Sequence, residues 1–194
     1  MRKSLVLALV CLLLPALAGA ATLKVGASSG VNSLDPHFHN ETPTNSVNAN
    51  IFDGLVNFDQ DLNPYPVLAE SWEVLDDVTW QFKLRKNVTF HNGNAFTADD
   101  VVWSFNRAKT SDKSGFKGSI SAIKAVEKVD EHTVNIMTNG PFPILLRKLT
   151  YLRIMDKEYS EGLTDEELGR NPVGTGPYEL VSWKRGQSIV LKAN

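Results

Sequence analysis

The patterning of this chain predicts a mixed α/β domain in which hairpins and helices are interspersed, not a regular βαβ array. Three stretches carry that prediction. Val78, Trp80, Phe82 and Leu84 alternate with Thr79, Gln81, Lys83 and Arg85, the period of a strand with one buried and one wet face. Thr97 is followed three residues later by Asp100 and then by an apolar stripe of Val101, Val102, Phe105 and Ala108, a capped helix with one face to bury. Residues 123–129 and 133–138 flank Asp130-Glu131-His132 and read as a hairpin.

The remaining elements follow in chain order. Residues 22–28 (TLKVGAS) alternate and predict a strand, and Asp35-Pro36 marks a turn in the loop that follows. Thr42 before Pro43 predicts a helix N-cap with proline at the first helical position. Val47, Ile51 and Leu55 lie four apart, which predicts a helix reaching about Asp53. A short strand over 55–58 and a turn-rich link over 59–66 come next. Residues 68–71 suggest one helical turn before a strand over 72–75, with Asp76-Asp77 as its turn. Asn92-Gly93 is another turn. Residues 109–119 read as an exposed loop, 142–149 as a helix, 171–177 (NPVGTGP) as a Gly- and Pro-dense loop, and 178–183 with 188–192 as a last hairpin.

The first twenty residues are of a different kind. Arg2 and Lys3 precede an apolar run over 5–17 and the small residues Ala18-Gly19-Ala20. This is the pattern of a secretory signal peptide over residues 1–20, cleaved after Ala20. The apolar run is short for a bilayer span, which needs roughly 20 residues. The single cysteine, Cys11, lies inside this segment, so the mature chain, residues 21–194, has no disulfide, no thiolate nucleophile and no cysteine at the cleavage point for a lipid anchor. A net charge of −2 with no run of like charge gives no electrostatic footprint for nucleic acid.

Reactive constellations are few. His37, His39 and Glu41 alternate, and in an extended segment they would share one side as a metal-ligating set; a solvated or cleft-lining loop is the favoured reading. Gly174-Thr175-Gly176 lacks the GxxxxGK[ST] spacing of a phosphate loop and precedes a strand, so a tight structural turn is favoured. No GxSxG elbow is present, and no carboxylate pair suggests divided acid and base roles. Trp80 and Trp103 fall on apolar stripes and are assigned to the core; Trp72 and Trp183 stay open between packing and ligand stacking.

The run PVLAESWEVLDDVTWQFKLRKNVTFHNGNAFTADDVVWSFNRA over 66–108 resembles the signature region of the family 5 extracellular solute-binding proteins, the dipeptide-, oligopeptide- and nickel-binding components of ABC importers. SLDPH over 33–37, IFDGLVNFD over 51–59 and NPVGTGPYEL over 171–180 fit the same family in order. The resemblance implies a class II periplasmic-binding-protein-like lobe, truncated here, in a two-lobed protein that closes on its solute by hinge motion. It implies a periplasmic, monomeric capture protein for di- or oligopeptides, with ABC permease and ATPase subunits as partners, no cofactor and no catalytic residue. It also implies that the acidic residue holding a peptide amino terminus lies in a second lobe outside this chain, and that one lobe alone binds solute weakly. By the same resemblance Asn40, Glu41 and Thr42, in the loop after SLDPH, face the ligand backbone, and Phe116 supplies an aromatic contact. Nickel, heme or other small solutes are alternatives within the family. A secreted hydrolase with its catalytic residues beyond Asn194 is the alternative of another class.

Overall fold

The computed structural model describes residues 22–27 and 29–194; the signal peptide expected over 1–20 lies outside them. The elements in order are α1 (Thr42–Ile51), β1 (Val56–Phe58), β2 (Pro64–Pro66), β3 (Ala69–Asp76), β4 (Thr79–Leu84), α2 (Ala98–Thr110), β5 (Ile123–Asp130), β6 (Thr133–Thr138), α3 (Leu145–Leu149), α4 (Lys157–Ser160), α5 (Asp165–Arg170), β7 (Tyr178–Lys184) and β8 (Ser188–Ala193). Helices and hairpins are interspersed, as the patterning predicts.

The centre is a four-stranded antiparallel sheet in the order β3-β4-β6-β5. Its two middle strands put apolar side chains into one layer: Phe82 and Leu84 of β4 with Val134 and Ile136 of β6, all buried. Trp80 faces Ile136 and Phe82 faces Val134 across the ladder. On the wetter face Gln81 donates its amide to Asn135 Oδ1 at 3.0 Å, a cross-strand polar pair of the kind that holds register. Helix α2 covers the buried face with Val101, Phe105 and Ala108. Thr97 and Asp100 form the expected capping box: the Thr97 N–H donates to Asp100 Oδ2 at 2.8 Å, and Asp100 Oδ1 accepts the Lys157 N–H at 2.9 Å. One carboxylate thereby closes the start of α2 and ties α4 to it.

A second, smaller core lies elsewhere on the molecule. Leu34, Ile51, Phe52, Met155 and Leu168 form it, and Trp103, Leu180, Trp183, Ile189 and Leu191 pack around it. Trp80 and Trp72 pack on the main core. All four tryptophans therefore pack against a core. The hairpin β7–β8 forms as expected, and among the described residues it is a sheet of its own. No helix among the described residues is long and apolar enough to cross a membrane.

Several expectations are corrected. Residues 22–27 form no strand; they pair with no described strand, and Leu23 and Val25 stand exposed. The N-cap position of α1 is Glu41, not Thr42, with no side-chain capping bond, and the helix stops at Ile51 with Phe52 extended. The turn expected over 68–71 is the start of β3, which pairs with β4 as far back as Ala69. A register shift between Ala69 and Ser71 breaks the alternation there and makes it resemble helical spacing. Strand β2 lies inside the expected link: Pro64 and Pro66 flank Tyr65 opposite β1, a sequence that reads as non-strand because proline cannot donate to a ladder. Helix α2 runs two residues into the expected loop, and α3 starts only at Leu145, behind Pro143.

Candidate functional site

The loop over 33–38 is the first building block. Asp35 is fully buried, and the guanidinium of Arg107, from the last turns of α2, meets it edge to edge: Nη1 to Oδ1 at 2.9 Å and Nη2 to Oδ2 at 2.5 Å. Arg107 Nη2 also donates to Asp165 Oδ1 at 3.0 Å. Burial alone would lower the affinity of this guanidinium for its proton, but the bonds and charge of Asp35, then those of Asp165, raise it. The Asp35 carboxylate further accepts the His37 N–H at 2.9 Å, an Asx turn that sets the loop's shape.

His37 extends the network inward. Its Nε2 lies 2.8 Å from the Arg153 carbonyl, which can only accept, so Nε2 carries the proton. Its Nδ1 lies 3.2 Å from Arg107 Nη1 and accepts from it. The ring is therefore neutral, and burial pushes it down to about 4, against the attraction of Asp35 and with the repulsion of Arg107. The set of His37, His39 and Glu41 does not converge: His37 points into the core, while His39 sits 3.9 Å from Glu41 at the surface. No group of three or more metal-ligating side chains occurs among the described residues.

An unfolded chain takes up a proton at His37 as pH falls through about 6.5, whereas the folded chain does so only near 4. Folding stability is thus full above pH 6.5 and falls between 6.5 and 4. The size is on the order of 3 kcal/mol for this one group. His37→Gln should flatten the slope of urea-unfolding free energy in that window relative to the parent protein. An unchanged slope would exclude His37 as its source.

Beside this network lies a cavity of about 190 Å³. Asn45 and Asn48 of α1, Asn57 of β1, Phe116, Tyr151 and Arg153 line it. The Phe116 and Tyr151 rings lie 6.4 Å apart. Asn48 is buried; its Nδ2 donates to the Asp35 carbonyl at 3.4 Å, and its Oδ1 has no partner. The Arg153 guanidinium makes no hydrogen bond or ion pair among the described residues. Desolvation pulls it below its ordinary range, against the attraction of Asp53 and Tyr65.

Of the residues the sequence singles out, Phe116 lines this cavity, yet only 2% of it is exposed. Asn40, Glu41 and Thr42 do not line it. Asn40 Oδ1 accepts from Asn45 Nδ2 at 2.9 Å, next to the wall. Glu41 occupies the N-cap position of α1, and Thr42 is its exposed first residue. Asn45, Asn48, Asn57 and Arg153 are residues that the sequence reading misses. A signal existed for two of them: Asn48 shares the buried side of α1 with Ile51, and Arg153 is a lone cation between Leu152 and Ile154.

Gly174 and Gly176 pack against the Ile51 backbone. They lie on the end of α1, where the Gly176 N–H donates to the Ile51 carbonyl at 2.9 Å. His91 clasps the same loop: its ring accepts from the Gly174 N–H at 3.3 Å and donates to the Gly176 carbonyl at 3.0 Å.

Residues 63–194 match the family described as bacterial extracellular solute-binding proteins, family 5 Middle, and the chain belongs to that family. The chain is 32% identical to the glutathione-binding protein GsiB of Pectobacterium atrosepticum over 171 residues, 87% of this chain and 33% of that protein. It is similar in structure to the PBP/SBP MoaA of A. tumefaciens R10 in complex with mannopinic acid: TM-score 0.78, 36% identity, 85% of this chain and 35% of that one. It is also similar to the periplasmic binding protein DppA of Helicobacter pylori in complex with peptide STSA: TM-score 0.76, 31% identity, 84% of this chain and 37% of that one. The chain spans about a third of the length of the relatives it matches.

Proposed function

We propose that residues 21–194 are the first-lobe portion of the solute-binding component of an ABC importer, which captures peptides in the periplasm and delivers them to a permease driven by a separate ATPase. In this reading residues 1–20 direct export, the protein acts as a monomer, and it performs no chemistry on its solute. The observation that carries the reading is the cavity beside the 33–38 loop. Its wall mixes uncharged amides, one cation and the Phe116 and Tyr151 rings, a set suited to peptide backbone and termini. A relative named for glutathione and a structural neighbour in complex with peptide STSA support the same class of solute.

Thermal-shift measurements on the longest natural product carrying these residues test the proposal, with dipeptides, tripeptides, glutathione, Ni²⁺ and heme as probes. A melting temperature that climbs with peptide excess is expected. A shift with Ni²⁺ or heme alone defeats the peptide reading, and turnover of a peptide defeats the absence of chemistry.

A further inference from the structure

We propose that Arg153 is a specificity-determining residue for carboxylate-bearing solutes: its guanidinium receives the carboxylate, while Asn48 Oδ1 accepts a hydrogen bond from an N–H or O–H beside that carboxylate. This rests on the capture reading above and narrows its substrate class.

Two independent observations converge on it. Arg153 sits on the wall of the cavity and forms no hydrogen bond or ion pair among the described residues. A desolvated cation without a partner is costly to a fold, so its retention there calls for an anion that arrives later. Arginine presents a planar fork of donors that suits a carboxylate in two-point contact. Asn48 lines the same cavity, and its Oδ1 is buried and unsatisfied. The Asn48 Nδ2 is committed to the Asp35 carbonyl, which fixes the amide with its oxygen as the vacant group. A buried acceptor and a partly buried, desolvated cation on one wall are complementary to a carboxylate with a neighbouring donor. The end of a peptide, where the last N–H lies two bonds from the carboxylate carbon, has that pattern.

The wall also holds Arg153 in place. Its carbonyl accepts from His37, and the next residue is held by the Ile154 N–H to the Asp53 carbonyl at 2.9 Å. Position comes from backbone bonds, which leaves the guanidinium uncommitted. The 190 Å³ volume is below the roughly 300 Å³ at which whole-ligand pockets begin, and it fits one terminus of a solute.

The test compares each peptide that binds in the panel with its C-terminal amide, by calorimetry on the parent protein and on Arg153→Gln. The parent should bind the acid at least about tenfold tighter than the amide, and Arg153→Gln should erase that preference. The unfolding midpoint of unliganded Arg153→Gln should be equal or higher, since a desolvated charge is removed; a large fall would make Arg153 structural and overturn the proposal. A readout on the unaltered protein guards against a variant that does not fold. Phenylglyoxal labelling of Arg153, followed by mass spectrometry, should slow under saturating acid peptide and not under the amide; equal labelling overturns the proposal. Acid and amide binding the parent alike would sink this inference while leaving the capture reading intact. No binding by any peptide in the panel would sink both.

Discussion

Arg107→Met is expected to destabilise the fold by about 3–5 kcal/mol, the range for stranding one partner of a buried ion pair. Asp35 is fully buried, and its two carboxylate oxygens are met by the two terminal nitrogens of Arg107. Without Arg107 the carboxylate keeps only the His37 N–H and must be protonated or drag water inward. The same loss frees His37 Nδ1 and leaves Asp165 with Lys113 alone, at 3.3 Å. Arg107→Lys should fall between, because an ammonium replaces the fork with a single point charge. The decisive measurement is a double-mutant cycle in urea with Asp35→Asn. The double variant should be markedly more stable than the sum of the single losses implies, since neither then leaves a bare charge. A cost for Arg107→Met below about 1 kcal/mol, the level of an exposed pair, would show that water already reaches this site.

How far the sequence foretold this is uneven, for physical reasons. Where one face of an element is buried by its own neighbours, the period is visible: β4, α2, the β5–β6 hairpin and the β7–β8 hairpin all stand where patterning puts them. Where a distant strand or turn decides the outcome, patterning misleads. The start of β3 reads as helical because a bulge interrupts it, and β2 hides behind two prolines. Helix α5 was within reach, since Thr164 and Glu167 have the spacing of a capping box and form one. The candidate site was the least legible part. Asp35 and Arg107 are 72 positions apart, and His37 reaches the Arg153 carbonyl across 116; no local spacing encodes such pairings. The family resemblance pointed to Asn40, Glu41 and Thr42, which stand exposed before and at the start of α1, whereas Asn45 and Asn48 further along that helix line the cavity.

Gly174→Ala is expected to cost about 3 kcal/mol or more, or to prevent folding, and the reason is contact rather than backbone freedom. A methyl carbon there would lie 2.8 Å from both the Ile51 carbonyl carbon and Phe52 Cδ1, and closer still to the Ile51 oxygen. Two of these neighbours are backbone atoms at the end of α1, so no side-chain rotation relieves the clash; the loop or the helix must move. The loop is pinned by His91 and by the Gly176 N–H on Ile51, which leaves α1 to shift. Since α1 carries Asn45 and Asn48, the variant should lose solute affinity beyond what its fraction unfolded explains. Gly118→Ala is the control: nothing lies within 4 Å of the added methyl, and it should change unfolding free energy by less than about 0.5 kcal/mol. If Gly174→Ala unfolds at the same urea concentration as Gly118→Ala, the 171–177 loop does not rest on α1 in solution. The seating of the cavity wall would then need another cause.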